Sequence, residues 1–256
     1  MNKLTNDIFK ILIELFVFDR KKRSILKARW AKKHLEQYIC NNISKEPVEE
    51  DEQIIFQYWH QGKENAPDLI KECFESAQKY QGDKKIIVIS FDTVKDYVDI
   101  PQKFYDLVNS KKIPIAIFSD IVRLYLLDKF GGLWIDSTIL LTDKIPQEVW
   151  ESDFCVFQKN PETDLQENKM SCYFIRAKKG SPNLRAIKKT LENYWAENDF
   201  LINYFMFEHV STMLSKRPEC KAEWDKMPYL DAEKAGMKQK GMEVDYFAHK
   251  LTYKKK

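Results

Sequence analysis

Nowhere does the 256-residue chain hold the roughly 20 consecutive apolar residues that a bilayer-spanning helix needs. Its most apolar N-terminal piece, Ile11 to Phe18, is interrupted by Glu14, and no small-residue cleavage site follows it, so a secretory signal is not expected there. Paired cysteines are missing as well. The five cysteines (Cys40, Cys73, Cys155, Cys172 and Cys220) are odd in number and none stands in a Cys-x-x-Cys pair. That pattern argues against a disulfide framework or a zinc site and fits buried, reduced thiols in a cytoplasmic protein. Nor is there an excess of charge of one sign. The net charge of +3 gives no basis for nucleic-acid binding by bulk charge. Internal repeats are absent, and the terminal Lys254-Lys255-Lys256 is the one low-complexity stretch.

What is present is the composition of an ordinary globular protein, 44% hydrophobic and 32% charged. The length suits one sizeable domain with a small appendage. The expected division is a helical, basic extension over residues 1–45 and a main domain over 46–256. Residues 4–40 are expected to be helical, with Leu4, Ile8, Ile11, Leu12, Leu15 and Phe16 at helical spacing. A basic run with Lys21, Lys22, Arg23, Lys27, Arg29, Lys32 and Lys33 follows, with Trp30 inside it. Residues 41–52, with Pro47 and acids including Glu49, Glu50 and Asp51, form a polar linker.

Beyond the linker, apolar strands alternate with helices. Ile54–Trp59 and Lys85–Ser90 are expected strands, with a helix from Pro67 to Tyr80 between them. Strands without polar alternation argue a largely parallel sheet covered on both faces, the α/β class. Further strands are expected at Ser137–Leu141, Asp153–Gln158 and Met170–Arg176, and helices at Pro182–Trp195 and Phe200–Leu214; residues 216–244 give no clear pattern.

The centre of the chain is residues 117–138. Ile117, Ile121, Leu124, Tyr125 and Leu127 form one helical stripe, and Asp120 and Arg123, three apart, project from a neighbouring face. Gly131-Gly132 stops the helix, Leu133-Trp134-Ile135 suits a buried strand, and Asp136 stands at its carboxyl end, where α/β sheets place ligands. Taken singly, these residues make a surface ion pair and a strand-terminating acid. Together, two acids and an arginine around a tight turn suit a polyhydroxylated, anionic ligand.

The string FSDIVRLYLLDKFGGLWIDSTILL resembles the Ser-Asp-x-x-Arg…Gly-Gly-x-Trp/Tyr-x-Asp core of capsular polysaccharide synthesis glycosyltransferases, relatives of glycosyltransferase family 32 and, more distantly, of the glucosylating toxins. The resemblance extends upstream to QYWHQGKENAPDLIKECFESAQKY and resumes near NYFMFEH and HKLTYK, covering roughly residues 50–255. It implies a GT-A-type (Rossmann-like) nucleotide-sugar-binding fold. It also implies retaining transfer of a hexose from a nucleotide sugar, UDP-linked by expectation, to a capsular or other surface glycan precursor, free or lipid-linked.

The implied roles fall on particular residues. Asp120 and Arg123 would contact the transferred sugar and Asp136 the ribose and sugar, these three forming the catalytic group. Trp59, whose other reading is core packing, would stack on the base. Gln61, Gly132, Ser137 and Lys250 would complete donor binding. The family's Asp-x-Asp motif holds a divalent cation, Mn²⁺ or Mg²⁺; here it reads Asp136-Ser137-Thr138, with a weaker neutral ligand in second place. Asp136, Thr138 and His249 are the implied metal ligands, while Lys250 and Lys254 could instead neutralise the diphosphate. Glu208 and His209 suggest acceptor-side acid–base groups, with a solvated face as the preferred reading. The basic N-terminal helices either pack on the domain with their lysines solvated or rest on an anionic membrane face on the cytoplasmic side. The missing second acid also leaves open a non-catalytic nucleotide-sugar or glycan-binding partner, or a membrane-surface scaffold.

Overall fold

A computed structural model describes residues 3–43 and 47–253; the expected division at 45/46, Glu46 and Lys254 lie outside them. Two helices come first, α1 (Lys3–Phe16) and α2 (Arg20–Leu35). The stretch expected to be helical here divides into a pair at Asp19, whose backbone is extended and whose side chain caps α2 by accepting from the amides of Lys21 and Lys22. A six-stranded sheet follows. In chain order its strands are β1 (Ile55–Tyr58), β2 (Ile86–Ile89), β3 (Gly132–Ile135), β5 (Phe154–Gln158), β6 (Met170–Ala177) and β7 (Leu230–Asp231). They lie in the order β2-β1-β3-β6-β5-β7. β1 runs parallel to β2 and to β3, β6 runs antiparallel to both its neighbours, and β7 is parallel to β5. This mixed, mostly parallel sheet with helical cover is the α/β arrangement expected. All residues of β1 and β3 are buried, as strands covered on both faces must be.

The helices between the strands supply that cover: α3 (Asp68–Tyr80), α4 (Gln102–Asn109), α5 (Ile115–Phe130), α6 (Gln147–Glu151), α7 (Pro182–Glu197), α8 (Met206–Leu214), α9 (Pro218–Lys226) and α10 (Ala232–Met237). α5 packs on β1 and β3, and α8 on β6. The expected strand after Asp136 is real but leaves the main sheet. As β4 (Ile139–Leu141) it pairs antiparallel with β8 (Ala248–Lys250) in a separate two-stranded sheet. This pairing brings the C-terminal segment back to the end of β3.

The double glycine fixes how α5 meets β3. Gly132 has φ +104°, and a Cβ there would lie 2.4 Å from the Ile54 carbonyl oxygen. Gly131 has φ +68°, and a Cβ there would strike Asp51. The linker is thus partly buried structure. Asp51 and Arg176, both essentially inaccessible, form a 2.7 Å ion pair beneath this turn, and Arg176 also donates to the Gly132 carbonyl. Breaking such a pair by removing one partner costs about 3–5 kcal/mol.

Candidate active site

The carboxyl ends of β1 and β3 open on a cleft of about 590 Å³. Because β6 is antiparallel, its amino-terminal half meets the same edge: the Asp136 amide donates to the Tyr173 carbonyl at 2.8 Å. β1 delivers Tyr58 and, just beyond it, Trp59 and Gln61; α5 delivers Ser119, Asp120 and Arg123. The turn after β3 delivers Asp136, Ser137 and Thr138, and β8 delivers Lys250.

Arg123 is the hub. It is buried, its guanidinium lies over the Trp134 ring at 4.8 Å, and Nη1 donates to the Cys172 carbonyl. Nη2 lies 3.0 Å from Asp120 Oδ1 and 3.0 Å from Asp136 Oδ1. The indole of Trp134 donates to the same Asp136 oxygen at 2.8 Å. The other oxygen, Oδ2, accepts from Lys250 Nζ at 2.9 Å, and Lys250 also donates to the Thr138 hydroxyl. One arginine therefore serves two carboxylates, and one carboxylate lies between two cations.

The two acids differ in consequence. Burial would raise Asp136, but Lys250 and Arg123 outweigh it and hold the carboxyl below its ordinary value, so it is ionised. Asp120 has burial as its largest influence, which Arg123 only partly offsets and the nearby Glu208 and Asp136 carboxylates reinforce; it is pushed up to about 7. Glu208 is raised by burial as well.

A divalent cation does not fit this set of donors. Both oxygens of Asp136 are already bound to positively charged side chains, and the hydroxyl at Thr138 accepts from the same ammonium. A metal between Asp136 and Thr138 would have to displace Lys250. His249 cannot help. It is a neighbour of Lys250 on β8, so its side chain leaves the opposite face of the strand, and it lines a separate recess with Thr142 and Lys238. Among the described residues no group of three or more His, Cys, Asp or Glu is placed to hold a metal ion.

The sequence-derived residues thus divide. Trp59, Gln61, Asp120, Arg123, Asp136, Ser137, Thr138 and Lys250 line one cleft. Trp59 belongs half to the core, against Ile70 and Phe74, and half to the cleft, where Tyr253 meets its ring edge-on at 5.8 Å. Gly132 is corrected from a donor contact to a packing residue: it begins β3, buried against Ile54, at the end remote from Asp136. His209 is buried and bonded to Asn168, away from the cleft. Glu208, expected on a solvated face, is instead a buried wall of the cleft, accepting from the Cys172 thiol at 3.3 Å. Its signal was the apolar company it keeps in α8, almost all of which is buried. Cys172 and Tyr204 also line the cleft and were not foreseen.

The sequence matches the profile of the family described as capsular polysaccharide synthesis protein over residues 10–255, so the chain belongs to that family. No curated protein matches it. Among solved structures, the one titled PaToxG Glycosyltransferase is similar, with a TM-score of 0.45 and 16% identity, covering 80% of this chain and 84% of that one.

Proposed function

We propose that this member of the capsular polysaccharide synthesis family is a glycosyltransferase that moves a hexose from a nucleotide sugar, UDP-linked, to a surface-glycan precursor. The observation that carries this reading is the Asp120–Arg123–Asp136–Lys250 cluster in a cleft at the carboxyl ends of parallel strands. It combines acceptors for sugar hydroxyls with fixed cations for phosphate. Trp59 would stack on the base, Gln61 and Ser137 would contact the nucleotide, and Asp120 with Arg123 would hold the hexose. Such a donor places the reaction in the cytoplasm, with residues 46–256 as the catalytic domain and residues 1–45 as its extension.

In place of a metal, Lys250 would carry the charge. Two of the three N–H bonds of an ammonium suffice for Asp136 and Thr138, which leaves the third for the diphosphate. As the bond between the sugar C1 and the diphosphate oxygen breaks, negative charge grows on the leaving β-phosphate, which Lys250 would stabilise while Arg123 holds Asp120 and Asp136 in place. The acceptor hydroxyl forms the new bond to C1 and its proton passes to the departing phosphate. With retention the acceptor enters on the leaving-group face, so no separate base is required.

The test is a turnover assay against a panel of nucleotide sugars, following release of free nucleotide. One donor should be turned over slowly without acceptor, and Asp136→Asn should abolish turnover while the protein stays folded. Full activity in Asp136→Asn would remove the basis for this site. Donor binding without turnover would instead favour a non-catalytic binding partner, which the replacement of the second acid by Thr138 also fits.

A further inference from the structure

The expected apolar stripe of α1 exists, but it faces solvent. Asn6, Phe9 and Ile13 form the inner face, where Phe9 stacks on Trp30 of α2 at 3.8 Å. Leu4, Ile8, Ile11, Leu12, Leu15 and Phe16 point away from the protein, each between 47% and 74% exposed. Phe18, at the corner between the two helices, is 90% exposed. A continuous apolar face of this size on an otherwise polar surface marks an interaction site. Its charge surroundings are equally distinct. Residues 3–35 hold ten basic and three acidic side chains, a net +7, whereas the whole chain carries only +3. Arg20, Lys21 and Lys22 come just after Phe18, past the capping Asp19, and are themselves exposed.

We propose that the outer face of α1 with this basic corner is a docking surface for an anionic lipid bilayer, lying in the headgroup plane. At 14 residues α1 fits the interface, and no helix among the described residues is long and apolar enough to cross a membrane. Charge complementarity selects the occupant. Each basic residue near an anionic surface adds about fivefold in affinity, whereas a second copy of the chain related by a two-fold axis would set the like-charged corners against each other. α1 also touches the segment that leads into the cleft wall. Lys10 of α1 donates to the Leu201 carbonyl at 3.4 Å, at the start of the segment leading to Tyr204 in the cleft wall. Docking would therefore bring the cleft mouth to a lipid-borne acceptor; only this last step rests on the glycosyltransferase reading.

Sedimentation of the full chain with vesicles tests it, using phosphatidylcholine alone and phosphatidylcholine rich in phosphatidylglycerol, at low and high salt. The chain should pellet with the anionic vesicles, be released by salt, and stay in solution with the neutral ones. Leu12→Glu/Phe16→Glu should lose at least tenfold in vesicle affinity with an unchanged melting temperature, because both positions are solvent-exposed. Donor binding in solution should not change in that variant, which separates failure of docking from failure of the cleft. A chain that stays in the supernatant with anionic vesicles overturns the proposal. So does a chain that light scattering shows to be a dimer which the double substitution dissociates.

Discussion

Lys250→Met replaces an ammonium by an apolar side chain of similar length at the point where Asp136 and Thr138 converge. The ammonium is 2.9 Å from Asp136 Oδ2, and 26% of its side chain is exposed. A unit charge about 4 Å from a phosphate contributes roughly 4 kcal/mol at the effective dielectric of a protein surface. Solvent reaching the side chain screens about half of that, and the net value of a charge-assisted hydrogen bond is about 1.5–3 kcal/mol. A loss of about 2 kcal/mol, roughly thirtyfold in UDP affinity, is expected. Isothermal titration in the presence of chelator reads it directly. In Lys250→Met the oxygens of Asp136 and Thr138 lose their ammonium, so millimolar Mn²⁺ should restore part of the binding to the variant while leaving the wild type unchanged. Wild-type binding that vanishes in chelator, or a variant that binds UDP as well as the wild type, would refute the reasoning.

Three further outcomes are expected. Asp120 titrates near 7 instead of its ordinary 3.8 because burial disfavours its charge; the folded state therefore holds a proton that the unfolded chain releases, and stability falls as pH rises from about 4 to about 7 and then levels. Asp120→Asn should accordingly raise the melting temperature at pH 8 by a few degrees, about 1–2 kcal/mol, and leave it little changed at pH 4. Trp59→Ala should weaken UDP binding about tenfold through lost base stacking, with less effect on inorganic diphosphate; equal loss for both would assign Trp59 to the fold alone. Gly132→Ala should lower the melting temperature by several degrees, since its Cβ would lie 2.4 Å from a backbone oxygen at a positive φ.

The fold and the centre of the site were legible for a physical reason. Apolar runs such as Ile54–Trp59 and Leu133–Ile135 have few alternatives to buried strands, and the helix, double glycine and terminal acid follow each other within twenty residues, so local geometry alone brings Asp120, Arg123 and Asp136 together. What failed was parity and phase. On β8 His249 and Lys250 leave opposite faces, and the sequence carries no sign of which one looks into the cleft until the strand's pairing with β4 is known. Glu208 was misplaced because α8 begins at Met206, six residues later than expected, which changes which residues share a face. Long-range partners were also hidden: Asp51, one acid in a run of acids, is a buried partner of Arg176, 125 positions away. The break in the N-terminal helix at Asp19 did have a signal, an N-capping acid ahead of a basic run. The outward turn of the α1 stripe had none, because an amphipathic pattern states that an apolar face exists and not what covers it.

The most direct test of the central claim is calorimetric titration of nucleotide sugars into the wild-type chain and Asp136→Asn, both in chelator. The account predicts that at least one donor binds the wild type without any divalent cation and that Asp136→Asn loses that binding while remaining folded. No binding of any donor to the wild type, or equal binding to both proteins, would contradict it.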